Sequence, residues 1–254
     1  MMLEPILEAT RGRVVALPSL AELRARALDA GPAVDLAGAL RRPGLQVIAE
    51  IKRRSPSAGP IAPDLDPVAQ ATEYVAGGAA AISVLTEPEF FGGSLEDLRL
   101  VRAAVDVPVL RKDFVLDERQ IWEARAAGAD AVLLIVAALG ARVAPLLAEA
   151  QAAGIAALVE AHTGDEATLA VGAGADIVGV NNRDLTTFVT DLAVSEQVAG
   201  SLPPGIVRVA ESGVSDAAGA ARMAAAGYDG ILVGEALVRS EAPARLIHTL
   251  RSVA

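Results

Sequence analysis

Five charged residues share one parity in short apolar runs: Glu50 and Lys52 follow Ile48, Lys112 follows Leu110, Glu160 follows Leu158 and Glu211 follows Val209. Asn181 stands in the same relation to Gly179. If the runs are β-strands, alternate residues face one side, and two ammonium groups, three carboxylates and an amide then converge on one surface. An ammonium among carboxylates can donate a proton, and the carboxylates can accept one or stabilise positive charge, which is the equipment of general acid–base catalysis. Unpaired buried charge is expensive, so the cluster implies either a catalytic site or a closed structural ion-pair network. Each polar residue ends its apolar run. Confinement to that end points to catalysis, because a structural network could sit at either end.

A second kind of chemistry is written in glycines. Glu211-Ser212-Gly213 ends the seventh apolar run and Val233-Gly234-Glu235 ends the eighth. A residue without a side chain lets backbone N–H groups approach an anion, and a following helix start favours negative charge. Alone, such pairs are ordinary turns. Their place in the chain gives them weight.

The elements that must position these residues alternate from residue 47 onward. Runs of Val, Ile and Leu at 47–51, 80–85, 107–111, 131–136, 155–160, 176–180, 206–210 and 230–233 are separated by Ala-rich segments of helical period. Such alternation predicts βαβ units and a parallel sheet. Helix starts are marked by Asp66-Pro67, by Ser94 with Asp97, by Thr163 with Glu166, and by Ser215, the acids three residues on completing a capping pattern. Gly128, Gly154, Gly174 and Gly227 stand where a helix closes and a strand begins, a place that rewards the left-handed backbone glycine adopts. Eight units predict an α/β fold, the closed (β/α)8 TIM barrel, in preference to an open doubly wound sheet. The barrel fills 46–254 of a single domain. An N-terminal extension, 1–45, contains one amphipathic helix over 19–30 that covers the barrel and can shape its entrance. In this fold active sites lie at the C-terminal ends of the strands, with phosphate on the loops after strands 7 and 8.

Composition removes whole classes of function. A net charge of −10 argues against nucleic acid and anionic membranes as partners, since both need an extended basic surface. Local basic residues therefore need individual explanations. For Arg53, Arg54 and Arg111 the competing reading is a solvated loop charge. No apolar run reaches the roughly 18 residues of a membrane helix. Residues 1–13, with Glu4, Glu8, Arg11 and Arg13, lack the basic-then-apolar order of a secretory signal, so the cytoplasm is the expected compartment. Without cysteine there is no disulfide, thiolate metal site or thiol nucleophile, and no metal site is expected.

Ala49-Glu50-Ile51-Lys52-Arg53-Arg54-Ser55-Pro56-Ser57 resembles the first-strand signature of the indole-3-glycerol-phosphate synthase family. Further similar segments follow in family order: Leu85-Thr86-Glu87, Phe90-Phe91-Gly92-Gly93-Ser94, Leu110-Arg111-Lys112-Asp113-Phe114 and Leu158-Val159-Glu160. They continue with Gly179-Val180-Asn181-Asn182-Arg183-Asp184-Leu185, Glu211-Ser212-Gly213 and Leu232-Val233-Gly234-Glu235-Ala236-Leu237. The resemblance spans nearly the whole chain. It implies ring closure, decarboxylation and dehydration of 1-(2-carboxyphenylamino)-1-deoxyribulose 5-phosphate to indole-3-glycerol phosphate in tryptophan biosynthesis, with no metal or organic cofactor. The one partner it implies is this phosphorylated anthranilate substrate, and a monomer is expected.

By the same resemblance Lys112 is the general acid toward the ketone oxygen. Lys52 pairs with the substrate carboxylate and is a candidate donor at dehydration, and Glu160 and Glu50 are bases or stabilisers of positive charge. Asn181 and Arg183 hold the reacting centre and its hydroxyls, Glu211 orients them, and Ser55 lies near the carboxylate. Phe91 and Phe114 press the anthranilate ring and sugar chain together, with core packing the competing reading for Phe114. Phosphate rests on Ser212, Gly213, Gly234 and Glu235, the last through its backbone N–H, because Glu235 lacks the hydroxyl of the Ser that some relatives carry there.

The nearest rival is phosphoribosylanthranilate isomerase, whose characteristic base is a cysteine that this chain lacks. A non-catalytic barrel binding a phosphorylated metabolite is a rival of a different class, and a Schiff-base lyase or aldolase using Lys112 or Lys52 is a third. His162 and His248 match no motif. His162 reads as an incidental loop residue near the rim, His248 as surface, and Trp122 as packing. Gly59 and Pro60 could let the loop after Lys52 act as a lid.

Overall fold

The computed structural model describes residues 3–184 and 187–253; Leu185 of the Asn-Asn-Arg-Asp-Leu segment lies outside them. Eight parallel strands close into a barrel: β1 (Gln46–Ile51), β2 (Ala81–Leu85), β3 (Val109–Lys112), β4 (Ala131–Ile135), β5 (Ala156–Ala161), β6 (Ile177–Asn181), β7 (Val207–Glu211) and β8 (Gly230–Val233). Each strand pairs with its sequence neighbours, and β8 returns to β1 with Gln46 opposite Gly230.

Alternation along the strands divides the apolar residues into two cores. Val47, Ala49, Ile51, Ile82, Val84 and Val109 belong to the large outer core under the helices. Ile48, Ala81, Leu110, Leu133, Leu158, Ile177, Val209 and Leu232 fill the barrel interior. Glu50, Lys112, Glu160 and Glu211 continue this inner parity beyond the last apolar layer. The opposite mouth is plugged by the short helix Leu36–Leu40, whose Leu36 and Leu40 are fully buried in the inner core.

Most strand ends lie within a residue of expectation, and three differences have a local cause. The third strand begins at Val109 rather than 107, directly after Pro108, which cannot donate to a ladder, and it reaches Lys112. The fourth ends at Ile135, because Val136–Leu139 turns into a helix. In the N-terminal extension three helices form where one was expected. Leu20–Ala27 does have Ser19 as its cap, with Glu22 completing the capping box, but it packs outside the barrel: Arg24 lies 5.0 Å over the Trp122 ring and pairs with Glu149. The helix that reaches the entrance is instead Leu3–Val15, which buries Ile6, Leu7 and Thr10 and keeps Glu4, Glu8 and Arg11 in exposed ion pairs.

Candidate active site

At the C-terminal mouth a cavity of about 460 Å³ brings together the catalytic and substrate-binding candidates named from the resemblance: Glu50, Lys52, Ser55, Phe91, Lys112, Phe114, Glu160, Asn181, Arg183, Glu211, Ser212, Gly213, Gly234 and Glu235. Two ion-pair groups make up its floor. Lys52 Nζ lies 2.8 Å from Glu50 Oε1. Lys112 Nζ lies 3.3 Å from Glu160 Oε2 and contacts Glu211 Oε2. Asn181 Nδ2 donates to Glu160 Oε1 at 3.2 Å, and its own Oδ1 accepts the Arg183 backbone N–H at 3.0 Å.

Two glycines make this crowding possible. A Cβ at Gly179 would overlap the Glu211 carboxylate, and one at Gly234 would overlap that of Glu50. In both places the missing side chain gives a carboxylate the room to lean over the neighbouring strand.

Electrostatics separates the members of the cluster. Burial disfavours the charge on Lys112, but Glu211, Glu160 and Glu50 outweigh it and raise its pKa, so the ammonium is retained throughout the neutral range. Burial likewise opposes the charge of Glu160, but Lys112, the neighbouring His162 and Asn181 hold that carboxyl below its usual value. Glu211 goes the other way. Burial, reinforced by the repulsion of Glu160 and Glu50, outweighs Lys112 and pushes it up to about 7. Its Oε1 has no hydrogen-bond partner among the described residues. Within the pair, Lys112 therefore keeps its charge and Glu211 is the group that titrates.

The aromatic wall is built by local backbone chemistry. Glu87, fully buried, caps the short helix Pro88–Phe91 by accepting from the N–H groups of Glu89, Phe90 and Phe91. Gly92 then closes that helix at φ 65°, and a Cβ on Gly93 would strike the Leu85 carbonyl. The Phe-Phe-Gly-Gly segment is thus a turn that sets Phe91 6.2 Å from Phe114, ring centre to ring centre. Phe114 in turn follows Asp113, whose carboxylate accepts from its N–H at 2.8 Å.

The phosphate-like corner has a strained backbone. Ser212 and Gly213 are both left-handed, at φ 63° and 87°, and Asn182 Nδ2 donates to the carbonyls of Glu211 and Ser212. A Cβ at Gly213 would come within 2.6 Å of Thr190. Across the cavity, the Glu235 carboxylate is taken by Arg239 Nε at 2.9 Å, and Arg239 itself lines the wall.

Some lining residues escaped the sequence reading: Leu3 and Ile6 from the first helix, Ser57, Phe188 and Arg239. Phe188, at φ 61°, carries no sequence signal for a left-handed backbone. Arg239 was legible in principle, one helical turn after Glu235. Three basic residues take definite places. Arg53 pairs with Asp97, Arg111 is buried between Asp113 and Glu123, and Arg54 is exposed. The competing reading of Arg111 as a solvated loop charge therefore gives way to a buried ion pair beneath the site. Arg54–Ser55 forms a short antiparallel pair with Gly59–Pro60 in the segment considered as a lid, and Arg183 donates to Ser57 from across the mouth. Among the described residues no cluster of potential metal ligands occurs, and no helix is long and apolar enough to cross a membrane.

A closed (β/α)8 barrel with paired lysines and carboxylates at the strand ends, an aromatic wall and a glycine-lined corner defines a class of barrel enzymes acting on small anionic substrates. The family model described as indole-3-glycerol phosphate synthase matches residues 3–250, and the chain belongs to that family. A relative named indole-3-glycerol phosphate synthase from Kineococcus radiotolerans is 53% identical over 92% of this chain and 88% of its own. A second, named indole-3-glycerol phosphate synthase 2, from Streptomyces coelicolor, is 52% identical over 96% and 95%. Among solved structures, a thiamine phosphate pyrophosphorylase from Pyrococcus furiosus superposes with a TM-score of 0.63 at 20% identity, covering 85% of this chain and 96% of that one. At that identity the likeness concerns the fold alone.

Proposed function

We propose that this chain is an indole-3-glycerol phosphate synthase whose acid–base chemistry is run by Lys112, Glu160 and Lys52. The observation that carries the reading is the Lys112 ammonium held between Glu160 and Glu211 at the floor of the cavity. The aromatic ring of the substrate lies against Phe91 and Phe114, its carboxylate toward Lys52 and Ser55, and its phosphate at Ser212, Gly213, Gly234 and the backbone of Glu235. Holding the ring at one end of the cavity and the phosphate at the other fixes both ends of the sugar chain, so that the ring carbon bearing the carboxylate is brought to the ketone.

As the carbon–carbon bond forms, Lys112 donates its proton to the ketone oxygen, which becomes a hydroxyl. The carboxylate leaves as carbon dioxide and its electron pair restores the ring. Lys52 then protonates the departing hydroxyl, which leaves as water, and Glu160, kept ionised, accepts the proton released as the indole double bond forms. Glu50 holds Lys52, while Asn181, Arg183 and Glu211 orient the hydroxyls. The partner is this small phosphorylated molecule alone, and the reading includes a monomer working in the cytoplasm without metal or organic cofactor, in keeping with the acidic net charge.

Lys112→Ala is expected to lower kcat at least about a hundredfold, the scale of a lost general acid, with product followed by its indole fluorescence. Activity within a few fold of wild type would remove Lys112 from the acid role.

A further inference from the structure

His162 is a half-buried titratable residue, both ring nitrogens covered, that the proposed mechanism does not use. It follows β5 directly, and its side chain is 14% exposed. It is absent from the cavity wall, which Glu160 occupies in front of it. Its Nε2 lies 3.5 Å from Glu160 Oε1, and its Nδ1 lies 3.4 Å from Glu166 Oε2. Neither ring nitrogen has an aligned hydrogen bond, so the imidazole is held between two carboxylates chiefly by charge. The backbone fixes the arrangement: His162 N–H donates to Glu166 Oε2 at 2.6 Å, and Thr163 caps the helix Gly164–Gly172 in whose first turn Glu166 lies.

Glu160 is therefore gripped at both oxygens, Oε2 by Lys112 and Oε1 by Asn181 and His162. We infer that His162, backed by Glu166, is a positioning residue for Glu160, an imidazolium that fixes the carboxylate's orientation and keeps it ionised as the proton acceptor of the proposed synthase reaction. This rests on the synthase reading given above. The groups facing the imidazole are Glu160 on the preceding strand, Glu166 from the following helix and Glu211 from β7; all three are acidic. Burial favours neutral imidazole, yet these carboxylates outweigh it and raise its pKa. Lys112 stands on the far side of Glu160, against its other oxygen.

The test is the pH profile of kcat, followed by indole fluorescence from pH 5 to 9, for wild type, His162→Gln, Glu166→Gln and Glu160→Gln. Without the imidazolium, protonation of Glu160 becomes easier, and the acid limb for His162→Gln should move upward by on the order of one pH unit. The loss should grow toward tenfold at the acid end of the profile and be largely recovered by pH 8, where Glu160 is ionised without help. Glu166→Gln, which touches nothing in the cavity, should shift the limb in the same direction by less, and it keeps the inference testable if His162→Gln folds poorly. A loss independent of pH, or an unmoved limb in both variants, would overturn the inference while leaving the synthase reading intact. Absence of product from folded wild type would instead remove the synthase reading, and the inference with it.

Discussion

At the scale of single residues, the site depends on what is missing as much as on what is present. Gly179 is an ordinary strand residue in its backbone, yet a methyl group there would overlap the Glu211 carboxylate that contacts Lys112. Gly179→Ala should push Glu211 off Lys112 and lower kcat about tenfold or more. Such overpacking also costs about 1–3 kcal/mol of stability, readable by urea denaturation. Unchanged kcat would mean that Glu211 adapts without consequence. Glu211, pushed up to about 7, should add an ionisation near neutrality to the kcat/KM profile of the free enzyme. Glu211→Gln should abolish that step in the profile, and its persistence would assign it to another group. The sequence already showed the catalytic types and their parity at this scale. It could not show the distances, because they depend on how close neighbouring strands lie once glycine is chosen between them.

The elements show why the floor is rigid and where the entrance comes from. Asp113, directly after Lys112, lines the cavity, and its carboxylate is held in a buried polar cluster. It receives Arg13 of the first helix at 3.1 Å, Thr86 of the loop after β2 at 2.7 Å and Arg111 at 3.1 Å. Burial opposes its charge, but Arg111, Arg13 and Thr86 together hold its pKa below the ordinary value. One carboxylate thus ties the helix carrying Leu3 and Ile6 to the strand carrying Lys112. Arg13→Ala should loosen that helix, raise KM more than it lowers kcat and cost about 1–3 kcal/mol, the scale of a buried polar group losing its partner. An equal fall in kcat with unchanged KM would place Arg13 in the chemistry instead. Here the sequence was least legible. Apolar periodicity opened by Ser19 exposed the helix at Leu20–Ala27, whose role is outside the barrel, whereas Leu3–Val15 has no capping residue type before it in the sequence and Leu36–Leu40, at five residues, is too short for a period to show. The barrel itself was legible because each strand repeats the same apolar run with a polar end.

For the whole molecule, the buried charges at the mouth make stability depend on pH in a definite direction. Glu211 and His162 have folded pKa values above their unfolded ones. Between the two values the folded state binds more protons than the unfolded chain, so stability declines as pH rises through that interval. Glu160 and Asp113 have lowered values, and their contribution is lost as pH falls below the ordinary carboxylate range. Together they place the stability maximum in mildly acidic solution. Tm should fall between pH 5.5 and pH 8, and Glu211→Gln should flatten that fall by removing its largest acidic contributor. A Tm that rises over this interval in wild type would show that other groups control the balance.

The most direct measurement gives wild-type protein 1-(2-carboxyphenylamino)-1-deoxyribulose 5-phosphate and follows indole fluorescence and released carbon dioxide together. Both should appear one for one without added metal or cofactor. Folded protein that yields neither, or that rearranges the substrate without releasing carbon dioxide, would contradict the synthase assignment.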